Sequence, residues 1–175
     1  MHPVEVQNAL ETLTLIVDTR EQKNARARRR IQKTELPFVR RALSYGDYSC
    51  FVKLPDKTEI DFSNAVAIER KMDIDELAAC FTTHRKRFER EFIRAKNDRA
   101  KLYLLVENAD WAKIIGGKYR SKMSAKALTA SLTAWLARYD TQLIMCDELI
   151  SPLIIKEILF REVKERLTKE GNYAD

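Results

Sequence analysis

Short apolar runs that alternate with segments of helical periodicity constrain the fold of this chain more than any other feature. The runs cover residues 13–17, 65–71, 101–106 and 141–145, and they are rich in valine, isoleucine and leucine. Runs of this length and composition are typical of buried strands, whereas the apolar spacing between them is typical of amphipathic helices. The alternation predicts an α/β fold in which a mixed central sheet is flanked by helices.

A hairpin and several helices complete the predicted element order. Residues 45–48 form a turn signal, and the two segments that follow it have the composition of hairpin arms joined across Pro55 and Asp56. Asp73 and Glu76 predict a capping box at the start of a helix. Further helices are predicted around Phe88, around Trp135 and over residues 152–169, while residues 24–42 fit either a helix or an ordered loop.

The chain is predicted to form a single domain. It has 175 residues, no repeat and no flexible linker, with only four glycines and four prolines. We expect the domain to span residues 1–175, with a core at about 12–150 and a closing helix at 152–169. Since no signal sequence and no bilayer-spanning run is evident, we expect an intracellular protein without a membrane partner, cytoplasmic or nucleoid-associated in a bacterium or phage and nuclear in a eukaryote.

Basic residues favour a polyanionic partner. The formal net charge is +6 and the pI is near 9.2, which favours a polyanion such as DNA. A single basic run fits a solvated surface equally well. The candidate DNA contacts occur in two clusters, one of Arg28, Arg29 and Arg30 and one of Arg85, Lys86, Arg87 and Arg90.

Other motifs do not support a cofactor site. The three cysteines lie far apart without a paired spacing, which argues against disulfides and a zinc site. Residues 116–118, Gly-Gly-Lys, lack the spacing of a phosphate-binding loop, so no ATP site is expected. Trp135 and Tyr139 have helical spacing, which favours packing in the core or a dimer over base stacking.

The Glu-x-Lys sequence in the strand at 65–71 predicts chemistry. Side chains in a strand alternate between faces, so Glu69 and Lys71 point the same way and Arg70 points the opposite way. A carboxylate can bind a hard divalent cation while the ammonium orients the attacking water. Asp47 is the best candidate for a second carboxylate, and Asp18, at the end of the first strand, can supply a third. Crowded carboxylates are costly without a cation, so we predict a Mg²⁺ or Mn²⁺ site with these three acids as ligands.

A series of motifs at the predicted strand ends and on one helix carries a resemblance to a known family. They occur in the order Val17-Asp18-Thr19-Arg20-Glu21, Gly46-Asp47, Glu69-Arg70-Lys71 with Asp75, Arg87-Phe88, and Val106-Glu107. With these motifs, residues 12–145 resemble the XPF-type nucleases, whose signature is Gly-Asp-x(n)-Glu-Arg-Lys-x-x-x-Asp. The family commonly adds a tandem helix-hairpin-helix module, which we do not expect after residue 150, and a helicase portion, which we also do not expect in this sequence.

The resemblance implies a restriction-endonuclease-like fold and Mg²⁺-dependent cleavage of DNA, usually of branched or flapped duplexes in repair or recombination, by a homodimer. Asp18, Asp47, Glu69 and Lys71 would form the catalytic centre. The alternative is a non-catalytic DNA-binding partner of the same fold, although members of that kind typically lose the carboxylates.

Arginines are expected to support the catalytic centre. Arg20 and Arg70 would orient the phosphate or the carboxylates, and for Arg20 pairing with a carboxylate is an equally good reading. Arg87 matches the arginine that the family has near its active site. Asp75 is either catalytic or a helix-capping acid that the helix dipole alone explains.

Overall fold

The computed structural model describes residues 1–171, and side chains as far as residue 169. Within this range the strands are β1 (Thr14–Val17), β2 (Phe38–Arg40), β3 (Tyr48–Lys53), β4 (Glu59–Asp61), β5 (Val66–Lys71), β6 (Lys101–Glu107) and β7 (Gln142–Cys146). The helices are α1 (Pro3–Glu11), α2 (Ala25–Lys33), α3 (Ile74–Phe81), α4 (Arg85–Asn97), α5 (Trp111–Ile115), α6 (Ala125–Tyr139) and α7 (Ser151–Gly171). No helix in this part of the chain is both long and apolar enough to cross a bilayer.

The strands form one mixed sheet. Its order is β2-β1-β3-β5-β6-β7, and β4 pairs with β3 as the second arm of the predicted hairpin. Neighbours are parallel in β1–β2, β5–β6 and β6–β7 and antiparallel in β1–β3 and β3–β5. The predicted α/β class with a mixed central sheet is therefore confirmed. Because β1, β5 and β6 run in the same direction, their carboxyl ends lie at one edge of the sheet.

Hydrophobic residues cover both faces of the sheet. On one face α1 and α7 pack against β1, β3 and β5, with Leu159 and Val163 of α7 completely buried. On the other face α3, α4 and α6 enclose an aromatic cluster centred on Trp135. The ring of Trp135 stacks on Phe88 at 5.4 Å between centroids and meets Phe81 edge to face at 5.4 Å. The predicted packing role of Trp135 in the core is confirmed.

Three segments were not predicted as they are observed, and one of them is the five-residue helix α5 (Trp111–Ile115). α1 precedes the first strand, begins at Pro3 with a capping box between His2 and Glu5, and adds buried residues before position 12. Residues 24–42 contain both a helix and the edge strand β2, which pairs with β1 through Leu15 and Phe38. The single short helix or loop predicted there left out β2, which is only three residues long.

Candidate active site

The turn before β3 brings Asp47 against β5. Gly46 has a φ of +74°, and a Cβ at this position would lie 3.0 Å from the Cβ of Ala67 and 3.1 Å from the carbonyl oxygen of Ile68. Only glycine tolerates both the conformation and the contact. The N–H of Asp47 donates to the carbonyl of Ile68 at 2.8 Å, and its own carbonyl accepts from the N–H of Asp18 at 2.8 Å. The backbone thus holds Asp47 between the ends of β1 and β5.

Asp47, Glu69 and Lys71 meet in a cleft of about 230 Å³. Nζ of Lys71 donates to Oε1 of Glu69 at 2.5 Å, as expected for side chains on the same face of β5. Oδ2 of Asp47 accepts from the backbone N–H of Arg70 at 2.8 Å. Glu69 and Lys71 are buried, at 5% and 8% exposure. The predicted association of these three side chains is present in the structure.

Burial and charge crowding together set the electrostatics of the cleft. Burial and the neighbouring carboxylate of Glu69 raise the pKa of Asp47 to about 7, although Lys71 acts in the opposite direction. Burial likewise raises the pKa of Glu69, opposed by Lys71 and reinforced by Glu91. Burial works against the charge of Lys71, but the attraction of Glu69 and Asp47 outweighs it and raises the pKa of this amine. Lys71 therefore remains an ammonium ion among carboxylates that a further cation would stabilise.

Glu91 of α4 is a further acidic residue that sequence reasoning missed. It is 6% exposed, lines the cleft with Glu69, and lies with Oε1 3.8 Å from NH1 of Arg20. It lies on the same face of α4 as the buried side chains of Phe88 and Phe92. A carboxylate on the apolar face of an otherwise basic helix is the signal that could have identified it.

Asp18 lies beside the cleft and does not line it. Oδ1 accepts from the backbone N–H and Nε of Arg20 at 2.7 and 2.8 Å, and Oδ2 accepts from Leu43 N–H at 2.7 Å and from NH2 of Arg20 at 3.1 Å. Although burial raises the pKa of Asp18, the bonds from Arg20 and Leu43 more than offset it and lower the pKa. Both oxygens are thus engaged within the protein.

The predicted set of three carboxylate ligands is not assembled in this structure. Within residues 1–171, no group of three or more His, Cys, Asp or Glu side chains is arranged to hold a metal ion. The physical reason is the pairing of Asp18 with Arg20, which leaves Asp47 and Glu69 as the two predicted ligands that line the cleft. Of the two alternatives for Arg20, pairing with a carboxylate matches the observed geometry.

A buried ionic network underlies the cleft and corrects one predicted DNA contact. Glu107, with 0% exposure, accepts from Nε of Arg30 at 2.9 Å, from NH1 of Arg70 at 3.2 Å and from the hydroxyl of Ser151 at 2.5 Å. Arg30 is itself 5% exposed. Since its guanidinium is enclosed by Glu107 and lies 3.5 Å from Glu21, Arg30 is a structural residue and not a surface contact for DNA.

The other predicted basic residues are exposed, and some of them surround the cleft. Arg87 lines the cleft, and an adjoining groove of about 410 Å³ is lined by Arg20, Arg87, Arg90, Glu91 and Arg94. Arg28 and Arg29 are exposed on α2, and Arg85 and Lys86 are exposed on the first turn of α4. Arg85 lies over the ring of Trp135, 5.9 Å from its centroid.

Asp75 has a structural role in this geometry. Its carboxylate accepts from the N–H groups of Arg120 and Ser121 at 2.8 and 2.6 Å and from Nε of Arg120 at 3.0 Å. It is not among the residues that line the cleft. Asp75 therefore anchors the loop between α5 and α6 on the start of α3.

The fold and this acidic cleft define a class of protein: an α/β domain with acidic residues and a lysine gathered at one edge of a mixed sheet. The sequence pattern of the ERCC4 domain matches residues 17–151, and the chain belongs to that family. This confirms the resemblance to XPF-type nuclease domains. A comparison with curated protein sequences found no match.

Solved structures show the same fold. XPF from Aeropyrum pernix superimposes with a TM-score of 0.58 at 19% identity, over 83% of this chain and 59% of that one. XPF from Aeropyrum pernix in complex with DNA gives a TM-score of 0.58 at 19% identity, over 93% of this chain and 68% of that one. This chain thus spans about three-fifths to two-thirds of the length of these structures.

Proposed function

We propose that this chain is a metal-dependent DNA endonuclease that hydrolyses phosphodiester bonds. The observation that carries the proposal is the convergence of Asp47, Glu69 and Lys71 in a cleft that is bordered by arginines. Acids and a lysine of this kind, beside guanidinium groups, suit an anionic substrate that must be bound and attacked by water. Membership of the ERCC4 domain family and the likeness to an XPF structure in complex with DNA support the same function.

The cleft residues fit a single hard divalent cation. Mg²⁺ is commonly held by one or two carboxylates, with waters and substrate phosphate completing its six oxygens. Asp47 and Glu69 supply two carboxylates, and the raised pKa of each reflects burial and negative charge that a cation would offset. Mg²⁺ or Mn²⁺ bound there would polarise the phosphate and activate water for attack.

The protein's own groups divide the remaining work. Lys71, fixed by its ion pair with Glu69, orients the nucleophilic water and offsets charge that develops on the phosphate. Arg87 and Arg20 bind the phosphate at the mouth of the cleft, and Asp18 sets the direction of Arg20. Among the described residues, no Ser, Thr, Tyr or Cys lines the cleft, which favours direct hydrolysis without a covalent intermediate.

We further propose that the substrate is branched or flapped DNA of repair or recombination, and that the enzyme is a homodimer that needs no ATP. The family resemblance supports the choice of substrate. Exposed apolar side chains at the start of α7 support the homodimer, since Leu149, Ile150 and Leu153 are 65%, 49% and 56% exposed. Light scattering at tens of micromolar, with and without DNA, tests the oligomeric state, and a monomer mass in both would contradict the dimer.

Cleavage of labelled flap, fork, four-way junction and linear duplex DNA tests the function. Wild-type protein should nick at least one substrate in Mg²⁺ or Mn²⁺ and none in EDTA. Asp47→Asn and Glu69→Gln should abolish cleavage while retaining DNA binding, and Asp56→Asn, an exposed acid in the hairpin turn, is the matched control. DNA binding without any cleavage would favour the non-catalytic partner of the same fold, and wild-type rates in both cleft variants would refute the site.

A further inference from the structure

A second cavity lies beside α2, on a face of the helix adjacent to the one that lines the cleft. Its volume is about 440 Å³. Cationic, amide and apolar side chains of α2, of the segment before it and of the edge strand β2 line it together. They are Lys23, Arg28, Ile31, Gln32, Phe38 and Arg40.

The aromatic wall of this cavity is an exposed ring. Phe38 is 50% exposed, although it is a large apolar residue in a strand. Because side chains alternate along β2, Phe38 and Arg40 share one face of the strand, while Val39 faces the opposite side and packs against Ile16, Leu43 and Phe51 in the core. The ring is therefore presented to solvent beside a guanidinium group, with buried Ile31 as the floor of the cavity.

The charge of the cavity is unbalanced. Arg28 donates to the carbonyl of Lys23 at 3.2 Å, and Arg40 donates to the carbonyl of Glu21 at 3.2 Å. In the part of the chain that the structure describes, no carboxylate oxygen lies within 4.0 Å of the nitrogen atoms of Lys23, Arg28 or Arg40. Three cations around one exposed ring complement a ligand with a flat apolar face and a phosphate.

The second cavity and the cleft are both lined by residues of the α2 region. Asn24, Ala27 and Arg30 of the α2 region line the cleft, whereas Arg28 and Gln32 line the second cavity. At about 100° per residue these two sets lie on adjacent faces of the helix. The separation is on the order of one helix diameter, about 10 Å, which is about three nucleotides at roughly 3.4 Å per stacked step.

We propose that this cavity binds an unpaired nucleotide of the DNA substrate, with its base stacked on Phe38 and its phosphates held by Arg28 and Lys23. Gln32 offers hydrogen bonds to the base edge. The inference rests on the proposed nuclease function and extends it: a single-stranded arm that leaves the cleft crosses the start of α2 and is held there. The site would make a DNA with an unpaired tail a better ligand than a blunt duplex.

Binding of two DNA hairpins in EDTA tests the proposal, one blunt and one carrying a tail of thymidylates. Phe38→Ala and Phe38→Leu should raise the Kd for the tailed hairpin roughly 5- to 100-fold, the range expected when one base loses its aromatic stacking partner. The Kd for the blunt hairpin should not change. Phe38→Leu keeps apolar surface without a ring, and Phe38→Tyr keeps a ring and should bind the tail like wild type. The two variants together separate stacking from loss of apolar surface.

The salt dependence supplies a second readout. Arg28→Ala should flatten the slope of log K against log salt for the tailed hairpin by about 0.7, the value for one contact to a single strand. Unchanged tail binding in Phe38→Ala, or an equal loss for both hairpins, would overturn the proposal and leave the cavity to a protein partner. Cleavage of flap, fork, four-way junction and linear duplex DNA in Mg²⁺ is measured in parallel. If tail binding depends on Phe38 but no DNA is cleaved, the nuclease function is refuted and the binding site is retained. If DNA is cleaved but tail binding does not depend on Phe38, the binding site is refuted and the nuclease function is retained.

Discussion

Replacing Asp18 by asparagine separates a positioning role of this carboxylate from a metal-binding one. Asp18 is 1% exposed and accepts bonds from two backbone N–H groups, those of Arg20 and Leu43, and from the guanidinium of Arg20. Asparagine has a similar shape but keeps only one acceptor oxygen. The NH₂ group would replace the second oxygen and face N–H donors there, so the hydrogen bonds that this oxygen accepts must be lost.

The expected loss of stability follows from the hydrogen bonds that Asp18→Asn removes. The side chain of Arg20 is 57% exposed, so its ion pair with Asp18 contributes at most about 1 kcal/mol. A buried N–H that loses a charged acceptor costs roughly 1.5–3 kcal/mol. We therefore expect Asp18→Asn to destabilise the fold by about 2–3 kcal/mol at pH 7. For a chain of this length, that lowers Tm by roughly 4–12 °C.

The pH dependence has a defined sign. The pKa of Asp18 is lowered in the folded state, so its contribution is complete above the unfolded value near 3.8 and is lost as pH falls through the folded pKa. The difference in Tm between wild type and variant should persist from pH 8 to 5 and shrink below about pH 4. Calorimetry over this range, with titration of Mn²⁺ at pH 8, measures both properties. An unchanged Tm together with lost Mn²⁺ binding would refute the positioning role and make Asp18 a ligand.

Three further variants test the cleft and its support. The pKa of Asp47 is raised to about 7, so its ionisation costs stability as pH rises from about 4 to 7. Asp47→Asn should therefore have a higher Tm than wild type at pH 8 and the same Tm near pH 4. It should also lose the stabilisation that Mg²⁺ gives wild type, about 2.7 kcal/mol at a hundredfold excess over Kd. Glu107→Gln should cost about 3–5 kcal/mol in urea unfolding, because the buried guanidinium of Arg30 and the partly buried one of Arg70 lose their shared carboxylate. A loss under 1 kcal/mol would contradict the network. Arg87→Ala should reduce single-turnover cleavage more than DNA affinity, whereas Lys86→Ala, outside the cleft, should weaken affinity slightly and spare the rate; equal proportional losses in both variants would argue against this division.

Local sequence patterns were sufficient for much of the fold. β5 was predicted from its apolar run, and the common face of Glu69 and Lys71 followed from strand alternation alone. β2 was not predicted, because a strand of three residues carries too little periodicity, and its partner β1 lies more than twenty residues earlier. Short edge strands are defined by their pairing partner rather than by their own composition.

Residues that depend on distant partners were beyond the reach of the sequence. Arg28, Arg29 and Arg30 look alike within one basic run, yet only Arg30 is buried. Its burial depends on the ion pair with Glu107, which lies 77 residues away in the sequence. Glu91 has the same helical spacing as Phe88 and Phe92, which indicates a buried face, but only the packing of α4 shows that its carboxylate faces Glu69. Charge alone does not report burial, since the pairing that permits burial is a tertiary property.

The same tertiary pairing explains how an acidic cleft can form beneath a basic surface. Glu107 neutralises Arg30 and Arg70 inside the protein, and the backbone N–H of Arg70 then binds Asp47 at the cleft. Without Glu107, these two guanidinium groups would keep only Glu21 as an ionic partner among the described residues, at 3.5 and 3.7 Å. They would then compete with the proposed metal ion for the carboxylates. The network therefore keeps these arginines directed into the protein interior, so that Lys71 is the cation that contacts Glu69 and Asp47 is left for the divalent ion that we propose.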